Sequence, residues 1–188
     1  AARRRGNAAL QLLPLTLRAK IRRATADLHG FDVRAAALAG LAGALRRGVL
    51  LLVDYGYPRG EYYLPERAQG TLVCHYRHRA HDDPFLLPGL QDITAFVDFT
   101  AVAEAGRAAG LTPAGYTSQA NFLIGCGLDE LVADSDPDDP GTHLALMQQV
   151  KRLTLPGEMG ERFKAIAFTR GLELALRGFA VRDLRGRL

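Results

Sequence analysis

The densest run of chemically competent side chains is Cys74-His75-Tyr76-Arg77-His78-Arg79-Ala80-His81-Asp82-Asp83. Three histidines spaced three residues apart, with a cysteine and two aspartates, invite a zinc reading. Arg77 and Arg79 argue against a metal, because a cation beside a divalent ion is electrostatically unfavourable. Imidazole, phenol and guanidinium together suit hydrogen bonding to a polar or anionic ligand, and a solvated surface loop is the plain alternative. Asp92 and Asp98 lie six residues apart, a spacing open to an acid and base pair. Asp98 falls where a helix cap is needed, which leaves Asp92 as the freer carboxylate. In Gly115-Tyr116-Thr117-Ser118-Gln119 a strand ends on hydroxyls and an amide, and capping explains it without a site. No GxGxxG, P-loop, GxSxG or HExxH pattern occurs.

These groups must be positioned by something, and the strongest element is Gly48 to Gly60. Val49-Leu50-Leu51-Leu52-Val53 has no polar face, so it is expected to be a central strand covered on both sides, as in a parallel sheet flanked by helices. Asp54, Tyr55 and Gly56 close the run. Ligands in open parallel sheets bind beyond the carboxyl ends of strands, so these residues stand where a site would be built, although a turn-forming Asp54 and a packing Tyr55 explain them equally. Helices are expected over 15–29 and 33–47, the second capped by Asp32 and terminated by Gly48. Gly70 to Tyr76 reads as a short strand, 77–91 as loop and Asp92 to Val97 as an extended piece. Asp98 caps a helix to about Ala109 that Gly110 ends. Leu111 to Thr117 is a strand, Ser118 caps a helix over Gln119 to Ile124, and the polar tract Asp134 to Gly141 is a surface loop. A helix from His143 to Leu153 and a last strand, Phe163 to Thr169, complete an α/β domain.

The chain has 188 residues, enough to bury one core without staples. Its two cysteines show no CxxC spacing, and no apolar run approaches membrane-spanning length; this points to a reducing compartment, the bacterial cytoplasm, without membrane attachment. The net charge is +4, yet the first 47 residues carry ten basic against two acidic groups. Such an arm can bind nucleic acid, but no aromatic residues are interleaved for base stacking, and a solvated basic face accounts for it. The chain starts at Ala1 without Met, and Lys20, Arg22 and Arg23 follow the short apolar stretch near the start at once, so a truncated start is expected rather than a signal peptide.

Leu51 to Tyr57, Gly70-Thr71-Leu72 with Tyr76, Arg77 and His78, Gly89 to Phe99, and Met159 to Lys164 together resemble the carboxyl-terminal half of the MidA family of S-adenosylmethionine-dependent class I methyltransferases. The resemblance covers residues 45 to 170 in order. It implies a Rossmann-like sheet in which the Val49 strand is the fifth, Leu111 to Thr117 the sixth and Phe163 to Thr169 the antiparallel seventh. Residues 1–47 would be a helical basic arm, 48–56 the central strand, 57–97 an insertion over the active-site mouth, and 98–188 the remaining sheet and helices. It further implies methylation of protein arginine, a protein substrate such as a respiratory complex subunit, and possible homo-oligomers. Tyr76, His78 and Asp92 would position the substrate, converging beside Asp54 and Tyr55. Asp54, Tyr55 and Gly56 would lie near the cofactor, with no metal. Phe96 stands where the family usually has His. The family's glycine-rich cofactor loop and ribose-binding acid belong to an amino-terminal half that is not expected here, so S-adenosylmethionine binding by this chain is expected to be weak or nil. A non-catalytic assembly module and a basic nucleic-acid binder are the alternatives.

Overall fold

The computed structural model describes residues 33–68, 70–77, 79–87, 89–134 and 140–188. The expected basic helix over 15–29, the Asp32 cap and His78 lie outside the described residues, as does most of the polar tract after Asp134. Two compact units emerge: one of residues 37–70 with 96–188, and one that contains 71–95.

The helix α1 (Val33–Ala44) leads into β1 of the larger unit (Gly48–Tyr57), followed by α2 (Arg59–Tyr62) and a 3-10 turn, Pro65–Arg67. After β5 (Val97–Asp98) come α3 (Phe99–Ala108), β6 (Thr112–Ser118), α4 (Gln119–Gly125), α5 (Leu128–Ala133), α6 (Pro140–Thr154) and β7 (Phe163–Arg170), with short 3-10 turns at Arg177–Phe179 and Arg185–Arg187. The sheet order is β5-β1-β7-β6. β1 is parallel to β5 and antiparallel to β7, which is in turn antiparallel to β6. The last strand is antiparallel as expected, and it lies between β1 and β6. Both expected caps form: the Asp98 carboxylate accepts from the Ala101 amide at 3.0 Å and the Ser118 hydroxyl from the Asn121 amide at 3.4 Å. Gly110, at φ +76°, ends α3.

The expected position of the doubly buried strand is corrected. Val49, Leu51 and Val53 remain 40%, 44% and 47% exposed, while Leu50 and Leu52 are half-buried. Alternation explains the split, since side chains i and i+2 share a face. Leu50 is register partner to Phe168, whose ring meets α3 so closely that a Cβ on Gly106 would come within 2.3 Å of it. The opposite face is covered only beneath β6 and β7, where Ala165 and Ala167 pack with Phe179, Phe122 and Leu176. Among the described residues, β1 is hydrogen-bonded on its β5 side at Gly56 and Tyr57 alone, so Gly48 to Tyr55 forms a sheet edge. The strand buried on both faces is β7, fully inaccessible from Ala165 to Phe168. Its neighbours β1 and β6 supply both ladders, and its small alanines admit the layer of α4 and the carboxyl-terminal segment.

Boundaries shift as well. α1 stops at Ala44, and Gly48 opens the strand rather than terminating the helix. β1 continues through Asp54 and Tyr55 because β7 pairs with it as far as Tyr55 opposite Phe163. The expected extended piece from Asp92 divides: Asp92–Thr94 joins the smaller unit and Val97–Asp98 the larger.

That smaller unit holds a three-stranded antiparallel sheet of β2 (Val73–Tyr76), β3 (Arg79–His81) and β4 (Asp92–Thr94), ordered β3-β2-β4. The stretch read as loop thus contains a strand, because the Tyr76–Arg79 turn, with Arg77 at φ +47°, folds 79–81 back onto 74–76. Among the described residues no helix is long and apolar enough to cross a membrane.

Candidate functional site

The carboxyl end of β1 carries a row of four half-buried aromatic rings. Tyr55 and Tyr57 fall on one face by alternation. Phe96 stands 5.5 Å from Tyr55 and 5.6 Å from Tyr57 between ring centres, and Phe163 lies 5.5 Å from Tyr55, with both Tyr55 contacts close to edge-on. Such offsets place positive ring edges against negative faces. At the end of the row the Arg67 guanidinium lies 4.0 Å above the Tyr57 ring. Burial, and next the neighbouring Asp54 carboxylate, push the Tyr55 hydroxyl above its usual range.

Backbone packing fixes this row. A Cβ on Gly56 would fall 2.1 Å from the Val97 carbonyl oxygen, so glycine alone lets β5 approach. The Gly56 amide donates to the Arg162 carbonyl at 3.4 Å. The Met159 to Lys164 motif is itself held because Gly160 sits where a Cβ would be 2.0 Å from the Thr154 carbonyl oxygen. Arg59 fastens the chain leaving β1 to α3. Its amide donates to the Thr100 hydroxyl at 2.9 Å, its guanidinium to both Glu104 oxygens at 2.8 and 2.5 Å, and its Nε to Asp98 at 3.4 Å. The hydrogen bond from Arg59 holds the Glu104 carboxyl below its ordinary value and raises Arg59 in return. On the other face, desolvation lowers the half-buried Lys164 ammonium, which donates to the Glu161 carbonyl.

The expected site residues are distributed as follows. Tyr55 and Gly56 lie in the aromatic row, whereas Asp54 is exposed, opposite Lys164, with its Oδ1 taken by the Tyr55 amide at 2.8 Å. Tyr76 and Asp92 belong to the other unit, on neighbouring strands. Asp92 is register partner to His75, so Tyr76, one residue on, projects from the opposite face of that sheet. His81 Nδ1 accepts from the Asp83 amide at 3.3 Å, and burial raises the thiol of the inaccessible Cys74. Among the described residues no three His, Cys, Asp or Glu side chains are grouped to hold a metal ion. The reading missed Phe163, Tyr57, Arg67 and the Arg59–Glu104 pair. The alternation of Tyr55 and Tyr57 was a visible signal; their partners are remote in sequence.

Asp54, Tyr55 and Gly56 do not make a cofactor cradle by themselves. The space left by the missing Gly56 side chain is filled by the Val97 backbone, and one Asp54 oxygen is spent on the Tyr55 amide.

A strand pair β1 and β6 of common direction, with an antiparallel hairpin strand inserted between them, is the carboxyl-terminal part of a class I methyltransferase sheet. A family described as "Putative S-adenosyl-L-methionine-dependent methyltransferase" matches residues 32–117. The sequence is 32% identical over 133 residues to protein arginine methyltransferase NDUFAF7, mitochondrial, of Bos taurus and equally to that of Homo sapiens, covering 66% of this chain and 26% of each relative. An uncharacterized protein of Burkholderia thailandensis is 50% identical with a TM-score of 0.81, over 84% of this chain and 42% of that one. A second structure from that organism, bound to S-adenosyl-homocysteine, matches with the same identity and score and 41% coverage of its length. The chain belongs to the MidA family of S-adenosylmethionine-dependent methyltransferases. It spans about a quarter of the curated relatives' length and about two fifths of the solved ones.

Proposed function

We propose that this chain is the acceptor-side portion of a methyltransferase acting on arginine in a protein. The observation that carries the proposal is the aromatic row at the carboxyl end of β1, which already bears a guanidinium on Tyr57. Relatives named as protein arginine methyltransferases support the choice of acceptor. In this reading Asp92, Tyr76 and His78 contribute to substrate positioning, as the resemblance implies. The resemblance favours a respiratory complex subunit as acceptor and the bacterial cytoplasm as the setting. S-adenosylmethionine is the methyl donor of the whole protein.

The chain alone neither binds that donor nor methylates. In doubly wound folds the cofactor rests on a glycine-rich turn after the first strand and on an acid after the second, and the residues beside β1 offer no substitute. Positioning donor and acceptor together supplies much of the rate of such a displacement, and that gain requires both halves. Isothermal titration with S-adenosylmethionine tests the reading on this chain and on a longer polypeptide that adds the region its solved relatives have beyond the match. Binding by the longer polypeptide alone is expected; micromolar binding by this chain would overturn the division of labour. A non-catalytic assembly module is favoured instead if the longer polypeptide binds no donor either.

A further inference from the structure

We infer that the face of Tyr57 is the guanidinium platform of the acceptor site, and that the chain's own Arg67 occupies it in place of a substrate arginine. The inference rests on the acceptor-side reading above and adds the residue that recognises the acceptor and the one that blocks it.

Arg67 combines a ring contact at 4.0 Å with a backbone carbonyl; among the described residues Arg77 has only a longer ring contact, 5.4 Å over Tyr76, and Arg47 only a carbonyl. Arg59, Arg177, Arg185 and Arg187 each reach a carboxylate, and Arg170 reaches backbone carbonyls at four residues. Among the described residues Arg67 has a ring beneath it, the Glu61 carbonyl as acceptor and no carboxylate. A guanidinium over a tyrosine face is attracted by the ring quadrupole, and its planarity and weak hydration suit it to stacking better than an ammonium. A ring and a carbonyl are neutral partners that an incoming arginine side chain can use in the same way.

The segment carrying Arg67 is also poorly anchored. From Tyr63 to Ala68 every residue except Arg67 is exposed, and neither α2 nor the Pro65–Arg67 turn contains a buried residue. The platform, by contrast, is rigid: Tyr57 lies against Phe96, Phe96 against Tyr55 and Tyr55 against Phe163. Gly56, tightly packed on Val97, sets the strand that carries both tyrosines. A fixed ring row covered by an exposed turn, with the turn's own guanidinium on the outermost ring, is a self-occupied site. The turn leaves when an acceptor arginine replaces Arg67.

The test is a titration of the full 188-residue chain with Nα-acetyl-arginine N-methylamide, followed by amide and aromatic chemical shifts, with the lysine and citrulline analogues as controls. Vacating the ring by Arg67→Gln removes a competitor whose contact is worth about twofold to thirtyfold in affinity, so the arginine probe binds tighter by a factor in that range. The shifts centre on Tyr57 and Phe96, and the two analogues bind more weakly. Adding Tyr57→Leu to Arg67→Gln abolishes the gain; Tyr57→Phe, which keeps the ring and the packing, preserves it. Unchanged or weaker binding by Arg67→Gln, shifts centred elsewhere, or equal binding of the lysine analogue overturns the inference. Because the probe needs no methyl donor, this result is independent of the cofactor titration. Arginine methylation by the longer polypeptide that survives Tyr57→Leu unaltered would sink the platform while leaving the methyltransferase reading intact.

Discussion

Replacing Leu51 by Ser tests whether one face of β1 is open. Leu51 is 44% exposed, and burying a fully exposed leucine is worth about 1.5–3 kcal/mol, so its uncovered part holds about 0.7–1.3 kcal/mol. Self-association through this face would bury Leu51 of both copies, and the substitution is then expected to weaken a dimer by about 1.3–2.6 kcal/mol, or about ten- to eightyfold. Folding stability should fall much less than for Ile166→Ala, whose fully buried side chain on β7 should cost about 2–5 kcal/mol. Sedimentation velocity across a concentration series measures the first quantity and urea unfolding the second. A dimerisation constant that does not move would refute association through this face, and a folding cost for Leu51→Ser equal to that of Ile166→Ala would refute the assignment of Val49, Leu51 and Val53 to an uncovered one.

Gly56→Ala should destabilise the chain by at least about 1–3 kcal/mol, since the new Cβ meets the Val97 backbone rather than a movable side chain, whereas Gly60→Ala, with nothing within 4 Å, should be nearly neutral by the same unfolding assay. Glu104 predicts an acid-side effect. Its folded carboxyl is held below the unfolded value of 4.5 by Arg59, so its contribution is fully present above that value and is lost as the pH falls through the depressed folded one. The stability difference between wild type and Glu104→Gln should therefore shrink from pH 7 to pH 3, and more salt should reduce it at neutral pH because both side chains are about half exposed.

Much of the fold was legible because its signals are local. Asp98 and Ser118 precede helices and do cap them, and Gly110 ends one with the positive φ that glycine tolerates. The antiparallel direction of the last strand followed from the family resemblance. Burial was misjudged because a five-residue aliphatic run suggests two covered faces, while coverage depends on what lies across the sheet. Ala165 and Ala167 look unremarkable in sequence, yet their small size is what lets α4 and Phe179 bury β7. The site was half legible: Tyr55 and Gly56 announced themselves at the end of β1, but Phe163 joins Tyr55 only through the antiparallel register, and Arg59 meets Glu104 across 45 positions. Tyr76 and Asp92 were grouped through the family resemblance, and the one-residue offset from the His75–Asp92 pair separates their faces.

The two edges of the larger sheet differ in valence. Along β6 the chain's own tail takes up the free groups: the Leu184 amide donates to the Tyr116 carbonyl at 2.6 Å, Asp183 accepts from the Tyr116 amide at 3.3 Å, and Arg185 donates to the Pro113 carbonyl at 3.0 Å. The β1 edge has no such cover among the described residues before Gly56. A sheet with two open edges can propagate without limit into a fibre, whereas one with a single open edge is a terminator as well as an acceptor. Within the larger sheet, edge-to-edge pairing through β1 consumes the one ladder left open among the described residues, so the tail turns a surface that could extend from both sides into one that saturates after a single encounter.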